Sequence, residues 1–423
     1  MNPRLAQRLC ILLLTAGAGL RLAAQQAPDS QDTEAVFVVQ TAQMREVMRT
    51  WYDAEKTNLR EEYQTRETAE GKVRHGYYRI YYANGRLWQN GQYYSGNLDG
   101  QWEIYDDNGM LKQRLSYVNG RKVGPFVSFY PHNGQIKESG SFLFDKIHGQ
   151  VQLFYANGAL KELAYYEHGV LQGEVLDFYE DGKLMQRLHY LDGKVNGPWE
   201  KYYANGHIKE RSFKVGDQYT GRFIGYYKDY EDGAKHKVCN YENGILEGEY
   251  LGFHPNGEMS LRCTYRKGLV EGLSEEFYEN GRVQHRGMYE NGEKTGIWET
   301  FYPDGQLYLR GAFRDRKFEG PWEVYHPNGA LKQTGRYADG LSTGLWKFFY
   351  DNGKLKKEGG YVLDLPEGTW RLYYESGALM SECVYAAGKL QGEKRNFAED
   401  GSPLPSEWYR DGELLAAQPE GEK

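Results

Sequence analysis

Short runs rich in Tyr, Phe, Trp, Leu and Ile alternate along most of this chain with breaks at Asn-Gly or Asp-Gly. In "EVYHPNGALKQTGRYADGLSTG" (323–344) two such breaks, Asn328-Gly329 and Asp339-Gly340, enclose one run. The first Gly of each unit serves as an index: Gly85, Gly109, Gly134, Gly158, Gly182, Gly206, Gly233, Gly257, Gly281, Gly305, Gly329, Gly353, Gly377 and Gly401. Their spacings are 24, 25, 24, 24, 24 and 27, and then 24 seven times running. A fixed period of this size marks a repeat array, here fourteen units over about 75–412.

Asn-Gly and Asp-Gly suit a two-residue type I′ turn, because both central residues take positive φ. Each unit therefore reads as a β-hairpin, followed by a second turn such as Asn119-Gly120, Asn243-Gly244 or Asn291-Gly292. Counting from the index Gly as zero, a two-residue turn sets −3 opposite +2, −6 opposite +5 and −7 opposite +6. The −6/+5 pairs are then Glu103/Arg114, Glu200/Arg211, Glu275/Arg286 and Glu299/Arg310, and both signs reverse together in Lys347/Glu358 and Arg371/Glu382. Opposite charges across an antiparallel pair stabilise it. On this reading, inverting both members of Arg371/Glu382 restores most of what the first inversion loses.

The −7/+6 pairs set Trp298, Trp322 and Trp346 against Gly311, Gly335 and Gly359, with Trp199 facing Ser212 and Trp370 facing Cys383. A large ring beside a small residue can lie across the partner strand, so this face, with Tyr at −3 and Leu, Ile, Met or Val at +2, is the expected core. The other face carries the charge pairs and an aromatic file at −4. That file is Tyr81, Tyr105, Phe129, Phe154, Phe178, Tyr202, Phe253, Phe277, Phe301, Tyr325, Phe349, Tyr373 and Phe397. In the 206–233 unit, three residues are added, and Asp229 and Lys235 stand where the aromatic and the Leu are expected. The −4 file together with Asp229 and Lys235 is the candidate binding surface, for glycans or an extended peptide; a curled sheet that buries the file is the competing reading.

The predicted architecture is all-β: an elongated array of about fourteen 24-residue antiparallel hairpins in one long twisted sheet. Length alone suggests several domains, but the repeat makes this one quasi-one-dimensional body. The sheet would run on the order of 130 Å. Residues 44–74 read as a degenerate N-terminal capping repeat, with Trp51-Tyr52 before a longer turn and Leu59 after it. Pro403 and Pro405 in the last unit guard an edge strand against further pairing, and 413–423 is a polar tail.

The first residues change the compartment. Arg4 and Arg8 precede the apolar run Leu9–Leu20, and Leu22-Ala23-Ala24 offers a cleavage site before Gln25. Residues 1–24 are the expected signal peptide and 25–43 a polar linker, so the chain is expected in the periplasm, at the cell surface or secreted. A retained N-terminal anchor is the rival reading. Removing 1–24 takes three Arg and no acid from 52 basic and 59 acidic residues, leaving −10. That balance speaks against nucleic acid and anionic membranes as default partners. Lys112, Lys137, Lys161, Lys209, Lys332 and Lys356 form a file at +3 that neighbouring Glu residues largely neutralise, so it reads as a solvated face.

Candidate chemistry is sparse. Cys239, Cys263 and Cys383 all occupy +6, where other units have Gly, Ala or Ser, so they are expected as free, buried thiols. The His residues share no ligand spacing, and His254 and His326 replace Tyr at −3 with a packing role. No Cys-x-x-Cys, His-Glu-x-x-His, Gly-x-Ser-x-Gly or P-loop is present, and "DYEDG" (229–233) lacks the spaced acids of a calcium loop. No enzyme, metal or cofactor is expected.

Units such as "YENGEKTGIWETFYPDGQLYLRGAF" (289–313) resemble the MORN repeat in its bacterial variant form, through Tyr289, Gly292, Gly296, Trp298, Phe301-Tyr302 and Asp304-Gly305. That variant is typical of the YwqK-like antitoxin family. The resemblance implies an array of antiparallel hairpins and a non-enzymatic role, as an immunity partner to a toxin or a scaffold for proteins or lipids. The leading expectation is an exported scaffold for another protein in the cell envelope. Toxin neutralisation and glycan or lipid-headgroup binding through the aromatic file are the alternatives.

Overall fold

The computed structural model describes residues 45–230 and 233–415. The expected signal peptide, the linker, Cys10 and the end of the tail lie outside them. Among the described residues every regular element is a strand, and 35 strands form one antiparallel sheet. Each strand pairs with its neighbours in the chain, as Glu293–Phe301 does with Val283–Glu290 and Leu307–Arg314. The N-terminal segment joins the same meander: Glu46–Trp51 pairs with Leu59–Thr68, Trp51 opposite Leu59.

The register away from the turns is the expected one. Glu103 faces Arg114, Glu299 faces Arg310, Lys347 faces Glu358 and Arg371 faces Glu382. The route to it differs. At the index turn only the Gly has positive φ (84° at Gly329), and Asn328 does not. Gly329 N–H donates to His326 O at 2.9 Å and His326 N–H to Ala330 O at 2.8 Å. This is a three-residue loop closed by a Gly bulge. The −4 residue therefore faces +2, as Phe301 faces Leu307, while Thr300 already faces Leu309. The extra turn residue and the bulge at +3 cancel, which restores −6/+5 further out.

The type I′ geometry belongs to the second turn. Asp339 and Gly340 both have positive φ, 51° and 85°, and Ala338 faces Leu341 across them. Gly340 N–H also donates to Phe318 O at 2.9 Å, tying this turn to the preceding unit.

Between its two turns each long strand bends. Arg286 faces Glu299 but Met288 already faces Thr295, so Gly287 opposes three residues, 296–298. Gly296, with φ of +62°, starts that bulge. The bend folds the tryptophan face inward, and the core sits there: Trp102, Trp298, Trp322, Trp346 and Trp370 are all buried.

Each of these indoles lies over the +6 glycine of the preceding unit rather than over its own hairpin partner. A Cβ on Gly287 would sit 2.2 Å from Trp298, on Gly311 1.9 Å from Trp322, on Gly335 2.0 Å from Trp346 and on Gly359 2.1 Å from Trp370. Tyr289, Tyr337 and Tyr361 then stand edge-on to Trp298, Trp346 and Trp370 at 5.1–5.2 Å. Each of these units is thus locked to the one before it, as a quasi-one-dimensional array requires. The described cysteines fill the same small slot as free, buried thiols, and burial pushes the Cys263 thiol up to about 11.

Candidate functional site

The second face carries three parallel files, and the structure relocates several expected residues. The −3 ring is in the turn and not in the core. Tyr278 Oη donates to Phe301 O at 2.7 Å and Tyr302 Oη to Tyr325 O at 3.0 Å, each reaching the next unit. His254 and His326 are more than packing residues, because each Nε2 donates to the corresponding carbonyl, Phe277 O at 2.8 Å and Phe349 O at 3.1 Å. The turn asparagines add a second staple: Asn328 Nδ2 donates to Asp351 O at 2.7 Å.

The −4 file lies on the charge-pair face as expected, and +2 joins it there instead of in the core. Tyr105, Phe129, Phe154, Phe178, Tyr202, Phe253, Phe277, Phe301, Tyr325, Phe349 and Tyr373 are all half-buried, with none fully exposed. Several are engaged. Tyr105 Oη donates to Glu103 at 2.7 Å, Tyr202 to Glu200 at 2.9 Å and Tyr325 to Glu323 at 2.9 Å, and the Arg286 guanidinium lies 5.1 Å from the Phe301 ring centre. Burial, and then the Glu103 bond, push the Tyr105 hydroxyl up to about 12.

The irregular unit differs from expectation. Lys235 does take +2, but Tyr226 faces it and is buried in the aromatic slot. Tyr227 supplies the turn staple to Phe253 O at 2.7 Å. The three added residues therefore enlarge the turn, and Asp229 is an exposed residue of that loop rather than a member of the file.

Beside the aromatic file, the charge pairs join into ladders longer than one hairpin. Consecutive strands place Arg262, Glu275, Arg286, Glu299, Arg310 and Glu323 side by side. Glu323 then faces the neutral Thr334, and a second block follows as Lys347, Glu358, Arg371, Glu382 and Arg395. Thr334 is where the alternation changes phase, which explains the joint sign reversal. Arg286 meets Glu299 at 2.6 Å, and Glu382 is held by both Arg371 and Arg395.

The ladder alters one expectation. Arg371→Glu sets three acids in a row, 358, 371 and 382, and is expected to lower the urea midpoint at low ionic strength. Adding Glu382→Arg rebuilds one pair but leaves like charges at 358/371 and 382/395. The single and the double variant each keep one opposite pair of the three, so no net recovery is expected, and recovery would mean that the pairs act hairpin by hairpin.

Outside the ladder runs a file at −8 and +7 that the sequence reading did not single out. Leu273 is 50% exposed, Ile297 51% and Leu345 57%, with Met288 and Val384 exposed too. Ile297, Arg310, Gly311, Ala312, Pro321 and Glu323 line a shallow depression of about 220 Å³ there. The signal was present as paired apolar neighbours, Ile297-Trp298 and Leu345-Trp346, which break strict alternation. One of the two must face outward.

The tryptophan face also holds a like-charge contact. Glu162 faces Asp177 directly, while Gln186 Nε2 donates to Asp177 at 2.5 Å. Burial first, then Asp177 and Glu138, push the Glu162 carboxyl above its usual range, with Lys161 opposing. A raised carboxyl pKa favours the folded state below the unfolded pKa, and that advantage is lost as pH rises through the folded one. Glu162→Gln is therefore expected to stabilise the chain at pH 7 and to lose that advantage at pH 4, read as thermal midpoints at both pH values. An equal effect at the two would point to packing instead of charge.

A meander of hairpins stapled at both turns, unit on unit, defines a β-hairpin repeat protein. The chain belongs to the MORN repeat-variant family, whose model matches residues 98–119, 147–168, 171–192, 195–214, 246–267, 270–291, 294–315, 318–339, 342–362 and 366–387. The glycines that close the 25- and 27-residue index spacings, Gly134 and Gly233, fall in the unmatched stretches 120–146 and 215–245. No curated protein matches the sequence. Among solved structures, the TcdB2-TccC3 crystal structure aligns at 11% identity over 82% of this chain and 20% of its own, with a TM-score of 0.16. Alternansucrase in complex with isomaltononaose aligns at 18% identity over 68% and 19%, with a TM-score of 0.17. The chain thus spans about a fifth of either structure.

Proposed function

We propose that this chain is an exported, non-catalytic scaffold that holds another protein on its ladder face. The observation that carries the reading is the apolar file Leu273, Met288, Ile297, Leu345 and Val384, exposed at regular intervals on a sheet whose units are locked together. Contiguous exposed apolar surface rimmed by charge marks interaction sites. MORN repeats commonly serve as interaction and scaffold modules, which supports the class of function. Export rests on Arg4, Arg8 and the apolar run after them. Several rings of the neighbouring aromatic file, Tyr105, Tyr202 and Tyr325 among them, are already engaged within the sheet.

A photo-cross-linking residue placed in turn at Ile297, at Leu345 and, as a control, at the index-turn residue Lys354 tests the reading in the native cell envelope. Protein adducts from the first two and none from the third support it. Equal labelling at all three, or none, removes it. A toxin encoded nearby among the adducts would select the antitoxin role, and glycan-array binding without protein adducts would select carbohydrate.

A further inference from the structure

Resting on the ladder face as an interaction surface, we propose that its part between residues 259 and 325 binds a second copy of this chain, with the two arrays antiparallel. Six strands make up this part: Met259–Arg266, Leu269–Phe277, Val283–Glu290, Glu293–Phe301, Leu307–Arg314 and Lys317–Tyr325. Their ladder residues read Arg262, Glu275, Arg286, Glu299, Arg310, Glu323, six charges of strictly alternating sign.

Consider two such faces related by a two-fold axis that lies between them, parallel to the strands. The axis keeps each position along a strand and reverses the order of the strands. An even run of alternating charges then meets its own reverse with every sign opposed. Arg262 faces Glu323 of the second copy, Glu275 faces Arg310, and Arg286 faces Glu299. An odd run would set like on like. The block Lys347, Glu358, Arg371, Glu382 and Arg395 has five members and fails this test, as do Arg187, Glu200 and Arg211 with three. Glu103 and Arg114, an even run of two, pass it with only two charges, so among these runs the 262–323 block alone is both even and long.

The apolar file obeys the same operation. Leu273 comes over Ala312 of the second copy, Met288 over Ile297 and Thr264 over Pro321. The depression of about 220 Å³ is lined by Ile297, Ala312 and Pro321, so the exposed Leu273 enters the hollow left by the small Ala312. On the other flank Phe277 meets Leu307 and Val283 meets Phe301. A two-fold contact must be the same patch on both subunits, and this patch is complementary to itself in charge and in size.

Six strands at about 4.8 Å by five residues at about 3.4 Å cover roughly 500 Å² of each face. Standard interfaces take about 800 Å² per partner. The dimer is therefore expected to be weak, with a dissociation constant in the micromolar range or above.

Sedimentation equilibrium of the purified chain tests the proposal. A concentration-dependent dimer is expected, and it should weaken as salt rises. Leu273→Asp should raise the dissociation constant at least about tenfold, since it removes a buried Leu from each side of the axis. The decisive measurement uses Glu275→Arg and Arg310→Glu in separate chains. Each alone faces like charges twice across the axis and should dimerise poorly. Mixed, each new charge meets its opposite, and the mixture should recover association although in-sheet damage in each chain is unchanged. A mixture no better than its components, or a Leu273→Asp chain as dimeric as the parent, overturns the proposal. A chain that stays monomeric yet cross-links a different protein from Ile297 overturns this proposal alone and leaves the scaffold reading standing.

Discussion

Gly335→Ala is expected to lower stability by about 1–3 kcal/mol, the range for overpacking a filled core. Its new methyl would sit 2.0 Å from Trp346 Cδ2 and 2.2 Å from Cε2. The indole cannot retreat: it is 3% exposed and held edge-on by Tyr337 at 5.2 Å and Tyr361 at 6.0 Å. Backbone strain plays no part, since Gly335 lies outside the positive-φ region. The measurement is a urea midpoint together with hydrogen exchange, because a repeat array can open locally around the altered unit. In a double-mutant cycle, Trp346→Leu should cost much less in the chain that already carries Gly335→Ala than in the parent. Additive effects would mean that the indole does not lie on residue 335.

Gly296→Val is expected to cost about 1–2 kcal/mol for the opposite reason. Space is free there, with no atom within 4 Å of a built Cβ, but φ is +62°. A left-handed conformation costs an ordinary L-residue about 1–2 kcal/mol, and Asn tolerates it best. The bend at residue 296 also lets Gly287 oppose three residues, so its loss should loosen the seat of Trp298. The expected order at 296 is Val worst, then Ala, then Asn. At 335 the order should instead follow size, with Asn no better than Ala. Thermal midpoints of the six variants check both series, and a common order at the two sites would erase the distinction between a glycine needed for its dihedral and one needed for its emptiness.

The period, the all-β class and the pairing of Glu299 with Arg310 were legible in the sequence, because turn residues and cross-strand charges are local and recur with every unit. The turn types were not. Asn-Gly suits both a type I′ turn and a loop closed by a Gly bulge, and only the backbone dihedrals separate Asn328-Gly329 from Asp339-Gly340. That distinction moved the −3 tyrosines from the core to the turn staples. It also carried +2 to the ladder face, and with the three-residue insertion it gave the aromatic slot expected of Asp229 to Tyr226. The seat of each indole had a sequence signal, a Gly eleven residues before Trp298, Trp322, Trp346 and Trp370, but within-hairpin pairing hid it.

The sequence by itself determined how many units there are, where each folds back and which residues face each other midway along its strands. It could do so because those are relations between neighbours in the chain, set by turns and by alternation. Only the tertiary structure decided what each unit does to the next: the indole over the previous glycine, the tyrosine hydroxyl on the following carbonyl, the ladder that runs on past its hairpin and the apolar file left facing solvent. These depend on the bend at the mid-strand glycine, which brings together groups from separate units.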